Sequence, residues 1–229
     1  MSGKTLYNGV AHKNRYLMTV NTQTDINAHR RRQFISLVMK RVQPGTGSGL
    51  DFLNKRTWTY PVTDIKAIIL QTQFVVVGGI ATRLYMPERM TLDLDILVLT
   101  QDAKSLYAEL EKAGSRKIGE LAIPGSQWEL PDGTSLDVLE SNADWVSAAL
   151  ANPNIAPNGL PIIPLPYLVL MKLQSARTQD LSDVSRMMGA ANIHEITQVK
   201  QAICQYLPGA LEDLESLIIL GQLERRTPN

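Results

Sequence analysis

Asp93 and Asp95 stand at alternate positions in Leu92-Asp93-Leu94-Asp95-Ile96-Leu97-Val98-Leu99. In a strand, alternate side chains share a face, so the two carboxylates point together while Leu92, Leu94 and Ile96 point away. Like charges this close repel, and one group must take up a proton unless a cation neutralises the pair. Hard carboxylate oxygens suit Mg²⁺ or Mn²⁺, and Mg²⁺ commonly sits on one or two carboxylates plus substrate phosphates. A third acid, Asp137, lies in Thr134-Ser135-Leu136-Asp137-Val138-Leu139, a short strand pattern after the turn signal Pro131-Asp132-Gly133. On a neighbouring strand it would complete a three-carboxylate cluster. A pair of acids at this spacing also occurs on solvated edge strands. Here the apolar run 96–99 points to burial on both faces.

Phe74-Val75-Val76-Val77 reads as a strand that Gly78-Gly79 ends, with a helix expected over 80–85. Glycines allow φ > 0 and a close backbone approach, and a helix start offers free N–H groups to a phosphate. A tight turn with no ligand is the alternative reading of the pair. Other catalytic arrangements fail. His12, His29 and His194 lie far apart, no Gly-x-Ser-x-Gly elbow or P-loop is present, and Cys204 sits in an apolar-periodic helix as an expected small core residue.

Taken together, Gly78-Gly79-Ile80-Ala81, Arg89-x-Thr91-x-Asp93-x-Asp95 and Asp137 resemble the polymerase-beta-like nucleotidyltransferase superfamily. Lys172-Leu173-x-x-x-Arg177-x-x-Asp180-x-x-Asp183 is similar to a helix of its small prokaryotic branch, which includes abortive-infection toxin nucleotidyltransferases. The resemblance covers roughly residues 64–188. It implies that Asp93 and Asp95 hold the metals, that Asp137 ligates one and helps activate the acceptor hydroxyl, and that Gly78 and Gly79 cradle a nucleoside triphosphate. It further implies that Arg89, Thr91 and Lys172 serve the nucleotide, Lys172 through a phosphate, with Asp180 or Asp183 near the acceptor or base. The implied reaction is Mg²⁺- or Mn²⁺-dependent transfer of a nucleoside monophosphate to a hydroxyl on RNA, such as tRNA, or on a protein. A toxin-type member would have a cognate antitoxin. A non-catalytic nucleotide-binding or interaction protein that keeps the fold is the alternative. Flanking elements of the aminoglycoside-modifying and CCA-adding branches are absent from the sequence, which leaves the acceptor open.

The helix residues also have purely structural roles open to them. Lys172 falls close to the apolar stripe Leu165, Leu168, Val169, Leu173 and Ala176, where a lysine commonly snorkels to the surface. Asp180 and Asp183 are also the acids that a helix start favours.

Composition agrees with a globular enzyme: 229 residues, 44% apolar and 20% charged. One cysteine excludes an internal disulfide and a cysteine-built zinc site. No apolar leader or membrane-length run occurs, so the cytoplasm is expected, with no membrane partner. Charge is uneven. Residues 1–60 hold ten Lys or Arg against Asp25 and Asp51, a surplus of +8, while the remaining thirteen basic and twenty acidic residues give −7. A basic arm with Arg30-Arg31-Arg32, Tyr16 and His29 can hold RNA phosphates, or it can dock on the acidic body of the chain.

The expected architecture is α/β: a nucleotidyltransferase-like core with a small mixed β-sheet, plus a C-terminal helical region. Residues 1–50 form a basic extension with a helix near 28–42 and the loop Pro44-Gly45-Thr46-Gly47-Ser48-Gly49, 51–163 the core, and 164–229 the helical region. Helices are expected over 64–72, 102–113, 144–151, 193–206 and 209–223, and after Pro164. Strands are expected over 116–123 and 128–130, with a hairpin around Pro157-Asn158-Gly159.

Overall fold

The computed structural model describes residues 8–43, 48–59, 61–91 and 93–226, with side chains from residue 23 onward. Lys4, the side chains of Lys13, Arg15 and Tyr16, the loop positions Pro44 to Gly47, and Leu92 therefore lie outside the described residues. The fold is α/β around one mixed sheet. Its strands are β1 (Val75–Val76), β2 (Leu94–Leu99), β3 (Arg116–Glu120), β4 (Gly125–Glu129), β5 (Ser135–Ser141), β6 (Asn154–Ile155) and β7 (Pro161–Ile162), in the order β3-β4-β5-β2-β1-β7-β6. β2 runs parallel to β5 and antiparallel to β1, and β7 is parallel to β1.

β2 is central because its sequence can be buried on both sides. Leu94, Ile96, Leu97 and Val98 are all inaccessible, as are Leu136 and Val138 of β5. The charged ends of this run come out where water reaches them: Asp93 precedes the strand and is exposed, and Asp95 is half-buried.

Helices surround the sheet: α1 (Asn8–Met39), α2 (Leu50–Asn54), α3 (Gly78–Ala81), α4 (Ala103–Lys112), α5 (Asp144–Ala151), α6 (Leu165–Ser175), α7 (Thr178–Ala190), α8 (Ile193–Tyr206) and α9 (Leu211–Glu224). No described helix is long and apolar enough to cross a membrane. The expected stripe on α6 is buried throughout, at Leu165, Leu168, Val169 and Leu173. Asn192 and Glu195 close a reciprocal capping box on α8.

Several expectations are corrected. The helix over 64–72 shrinks to a single 3₁₀ turn, Ile65–Ala67. The Glu109 carboxylate accepts from the backbone N–H groups of Leu70, Gln71 and Thr72, so those donors need no helical carbonyls. The helix over 80–85 is replaced by the four-residue α3 and a 3₁₀ turn, Thr82–Leu84. β3 stops three residues before Ile123, and β4 begins at Gly125, ahead of Trp128. Cys204 is exposed, because Val199, Ala202 and Ile203 supply the buried face of α8.

α1 docks on the body of the chain. Arg31 is only 2% exposed, its Nε donating to Asp213 of α9 at 2.7 Å and its Nη1 to the Leu173 carbonyl of α6 at 3.0 Å. Asn27 donates to the Gln174 carbonyl at 2.7 Å, and Ile35 is buried beneath them. These bonds satisfy carbonyls that the last turn of α6 would otherwise leave open. Arg31 is therefore unavailable to RNA, whereas Arg30 and Arg32, on other faces of the helix, stay exposed.

α7 and α9 meet backbone to backbone. A Cβ on Gly221 would lie 1.9 Å from the Ser185 carbonyl oxygen, and one on Gly189 would lie 2.4 Å from the Gly221 carbonyl oxygen. Neither obstacle is a flexible side chain, so the helices must part to admit a methyl group. Gly221→Ala is expected to cost about 1–3 kcal/mol, the usual range for overpacking. Gly119→Ala, with nothing within 4 Å of its Cβ, serves as the control. Urea unfolding of the two variants checks the contrast.

Candidate active site

The parallel register of β2 and β5 sets Asp95 directly beside Asp137, and the antiparallel register of β4 and β5 sets Gln127 beside Asp137 in turn. Register partners share a face, so one row of polar side chains crosses three strands. Gln127 Nε2 donates to Asp137 Oδ1 at 3.2 Å.

The glycine turn closes over this row. Val77 N–H donates to the Asp95 carbonyl at 2.9 Å, tying the turn to β2. Gly78 has φ +63°, and a Cβ there would fall 1.9 Å from Asp95 Oδ2. A Cβ on Gly79 would lie 2.9 Å from Thr91 Oγ1. Backbone conformation and close approach thus both require glycine at position 78. The turn does more than reverse the chain: it packs against the carboxylate.

Burial, then the charges of Asp137 and Asp93, push the Asp95 carboxyl up to about 6, against the pull of Arg177 and Lys172. Burial likewise raises Asp137, with Gln127 opposing and Asp93 adding. The three acids therefore sense one another. Among the described residues, however, no three His, Cys, Asp or Glu side chains are gathered closely enough to hold a metal ion. The donor set itself, carboxylates whose mutual repulsion a cation would remove, fits a hard divalent ion.

The opposite wall is a buried ion network. Lys172, on α6 and 4% exposed, donates to Asp180 Oδ1 at 2.7 Å and to Asp183 Oδ2 at 2.8 Å. Arg89 Nη2 reaches the same Asp183 oxygen at 2.9 Å, and Gln179 Nε2 its other oxygen at 3.1 Å. Arg177 Nε and Ser175 Oγ both donate to Asp180 Oδ2. Burial works to raise the Asp180 carboxyl, yet the pairing with Lys172 and the other donors hold it below the usual range. Lys172 does not snorkel; its ammonium is enclosed by carboxylates. The network depends on a sharp reversal between α6 and α7 at Ala176, whose φ of 52° is left-handed.

Between these walls lies a cleft of about 930 Å³. Of the residues singled out in the sequence, Gly78, Gly79, Arg89, Thr91, Asp93, Asp95, Asp137, Lys172 and Asp180 all line it, and Asp183 stands just behind as the partner of Lys172 and Arg89. Arg177 also lines it with its side chain 76% exposed, leaving a guanidinium turned to solvent at the mouth. The sequence motif contained Arg177, but nothing in the spacing separated it from Lys172 as the accessible cation. Gln127 was missed as well, since only strand register brings it to Asp137.

No family model matches the sequence, and no curated protein matches it. Solved structures with some likeness include the antibiotic-resistance factor ANT(2'')-Ia in solution (20% identity, 66% of this chain and 82% of that chain, TM-score 0.37). A crystal structure of ANT(2'')-Ia with adenylyl-2''-tobramycin gives 19% identity over 66% of this chain and 87% of that chain, TM-score 0.35. A cytoplasmic RNA terminal U-transferase gives 19% identity over 55% of this chain and 32% of that chain, TM-score 0.26. Likeness at these scores carries no weight for function.

Two consequences are measurable. Lys172→Met would leave Asp180 and Asp183 buried with Arg177 and Arg89 as their remaining cations. Breaking a buried pair from one side costs about 3–5 kcal/mol, whereas loss of a snorkelling lysine would change urea stability little. The second consequence follows from the raised Asp95 carboxyl. A carboxyl raised from 3.8 in the unfolded chain to about 6 in the fold stabilises the folded protein below about 3.8 and loses that contribution as pH rises through about 6. Metal-free Asp95→Asn, which keeps the shape against Gly78, should therefore gain on the parent protein at about pH 7, by about 1–3 kcal/mol. The gain should shrink as the pH is lowered, and thermal melts in chelator at several pH values test this.

Proposed function

We propose that the protein is a metal-dependent nucleotidyltransferase of the polymerase-beta-like kind. The observation that carries this reading is convergence: the glycine turn, the Asp93/Asp95 pair, Asp137 and the Lys172–Asp180 helix hairpin come from separate parts of the chain, yet all line one cleft. An acceptor oxygen would attack the α-phosphorus of a nucleoside triphosphate. The bond to the β-phosphate oxygen would break, pyrophosphate would leave, and the acceptor proton would pass to a nearby base.

Asp93, Asp95 and Asp137 would hold Mg²⁺ or Mn²⁺, which when bound would neutralise charge developing on the attacking and leaving oxygens. Asp137, in reach of solvent through the cleft, is the carboxylate placed to take the acceptor proton. Gly78 and Gly79, which let the turn pack against Asp95 and Thr91, would present their backbone to the triphosphate. Arg177, anchored to Asp180 through Nε but with its side chain 76% exposed, is the cation that would meet it, while Lys172 and Arg89 hold the carboxylates that shape the wall. The three-part division of the chain, with its basic extension, core and helical region, is retained in this reading.

The rest of the cleft bears on the acceptor. Gln23 and Asn27 of α1, Gln174, Trp145, Met171, Ile123 and Glu140 line it, and the cations among the described lining residues, Arg89, Lys172 and Arg177, are all paired with Asp180 or Asp183. A polyanion would gain little from such a surface, so this reading favours a neutral or cationic hydroxyl acceptor, on a protein or a small molecule, over tRNA or other RNA. A toxin-type role with a cognate antitoxin is compatible with a protein acceptor. A second reading is a non-catalytic nucleotide-binding or interaction protein that keeps the fold, and the same cleft would serve it.

Incubation with each α-labelled nucleoside triphosphate, Mg²⁺ and separate pools of RNA, protein and small hydroxylated cations distinguishes these readings. Label in the protein or small-molecule pool is expected, and label in RNA would overturn the acceptor assignment. Nucleotide binding without any label would support the non-catalytic member. Arg177→Gln should cost less urea stability than Lys172→Met, since Asp180 keeps Lys172 and Ser175 as donors, while weakening triphosphate binding about tenfold or more. Unchanged binding would remove Arg177 from the phosphate site.

A further inference from the structure

The row of side chains across β2, β5 and β4 ends on an amide. Gln127 stands beside Asp137 as Asp137 stands beside Asp95, and Gly119 of β3, next in register, has no side chain to continue the row. β4 is pinned from its other face. Ser126 and Trp128 are inaccessible, Trp128 Nε1 donates to Ser126 Oγ at 2.9 Å, and the Trp128 ring stacks on Tyr107 with centroids 5.3 Å apart. Alternate residues of a strand face opposite ways, so these contacts turn Gln127 towards the acids without drawing it into the core.

Asp95 and Asp137 are oriented by different means. Asp95 is packed against the glycine turn, where a Cβ on Gly78 would meet its Oδ2. Asp137 is held by a hydrogen bond: Gln127 Nε2 donates to its Oδ1 at 3.2 Å, the one side-chain hydrogen bond that Asp137 makes among the described residues. The last torsion of an aspartate is broad. An unanchored carboxylate can present either oxygen, whereas a donor on Oδ1 decides which one is left for a ligand.

The anchor is also of a kind that suits a cation site. Asp93, Asp95 and Asp137 already act on one another through their charges. A fourth acid at position 127 would add to that repulsion, and a lysine or arginine would neutralise the set and compete with an incoming cation. An amide donates without bringing a charge. Asp137 lines the cleft and Gln127 does not, so the amide acts on a bound group only through the carboxylate.

We propose that Gln127 is a positioning residue whose amide holds Asp137 Oδ1 and thereby offers Oδ2 to a divalent cation. The inference rests on the role proposed above for Asp137 as a metal ligand. Groups that hold a ligand without touching the metal are worth about 10–100-fold in metal affinity.

Mn²⁺ binding to the full chain, read by electron paramagnetic resonance with an α,β-methylene analogue of ATP, GTP, CTP or UTP, tests this. The parent protein is expected to bind Mn²⁺ with at least one analogue. Gln127→Met is close in shape but lacks the donor, and Gln127→Asn keeps the donor on a side chain one methylene shorter. Each should weaken that binding about tenfold or more. Melting temperatures in chelator show which variants are folded, and either folded variant is decisive. Glu129→Gln, which removes the exposed pair with Arg116 on the same strand, should leave Mn²⁺ affinity unchanged. A parent protein that binds no Mn²⁺ overturns the metal site itself and the role of Gln127 with it. Mn²⁺ bound by the parent and equally well by a folded Gln127 variant overturns the positioning role alone. So does an equal loss in Glu129→Gln, which would mark a general disturbance of β4.

Discussion

The Lys172 ammonium, enclosed by Asp180 and Asp183, is the contact on which the shape of the cleft depends. Two carboxylates on one face of α7 cannot be buried without cations, and Lys172 reaches both from α6. Arg89 then has a fixed anchor at Asp183, which holds the segment between the glycine turn and β2 against the helices. Arg177 has another at Asp180, at the mouth. One buried cation thus links the helix hairpin to the part of the sheet, on β2 and β5, that carries Asp95 and Asp137, with Asp93 just ahead of β2. α1 reinforces the arrangement from behind, through Arg31 and Asn27 on the carbonyls at the end of α6.

The two walls treat charge in opposite ways. On the helix side each carboxylate meets a cation, and Asp180 stays ionised despite its burial. On the sheet side Asp95 and Asp137 meet mainly other acids, with Gln127 as a neutral donor, and both are shifted upward. Where a fold resolves its buried charges in one wall and leaves them unresolved a few residues away, the unresolved set is the one poised for an external cation.

Local features were legible in the sequence, and long-range ones were not. The acid spacing around Asp93 and Asp95, the glycine pair, the apolar stripe of α6 and the span of α5 follow from periodicity within a few residues, and the structure shows all of them. The pairing of Lys172 was hidden because it requires the left-handed turn at Ala176, and alanine gives no turn signal. The missing helix after Asp64 was hidden because its competitor, Glu109, lies far along the chain. Arg31 could not be told from Arg30 and Arg32 by composition. Only its angular position on α1, in line with Asn27 and Ile35, takes it into the interior.

The closeness of Gly78 to Asp95 ties two positions into a single inheritance unit. Any side chain at 78 would meet the Asp95 carboxylate at 1.9 Å. A chain that keeps the acid is therefore confined to glycine at 78. A chain that replaces the acid with a small residue removes the steric part of that constraint, leaving only the backbone angle to favour glycine. Among descendants of such a protein, the turn should stay invariant for as long as the acid is kept and start to drift only after the acid is lost, so that position 78 preserves the history of position 95.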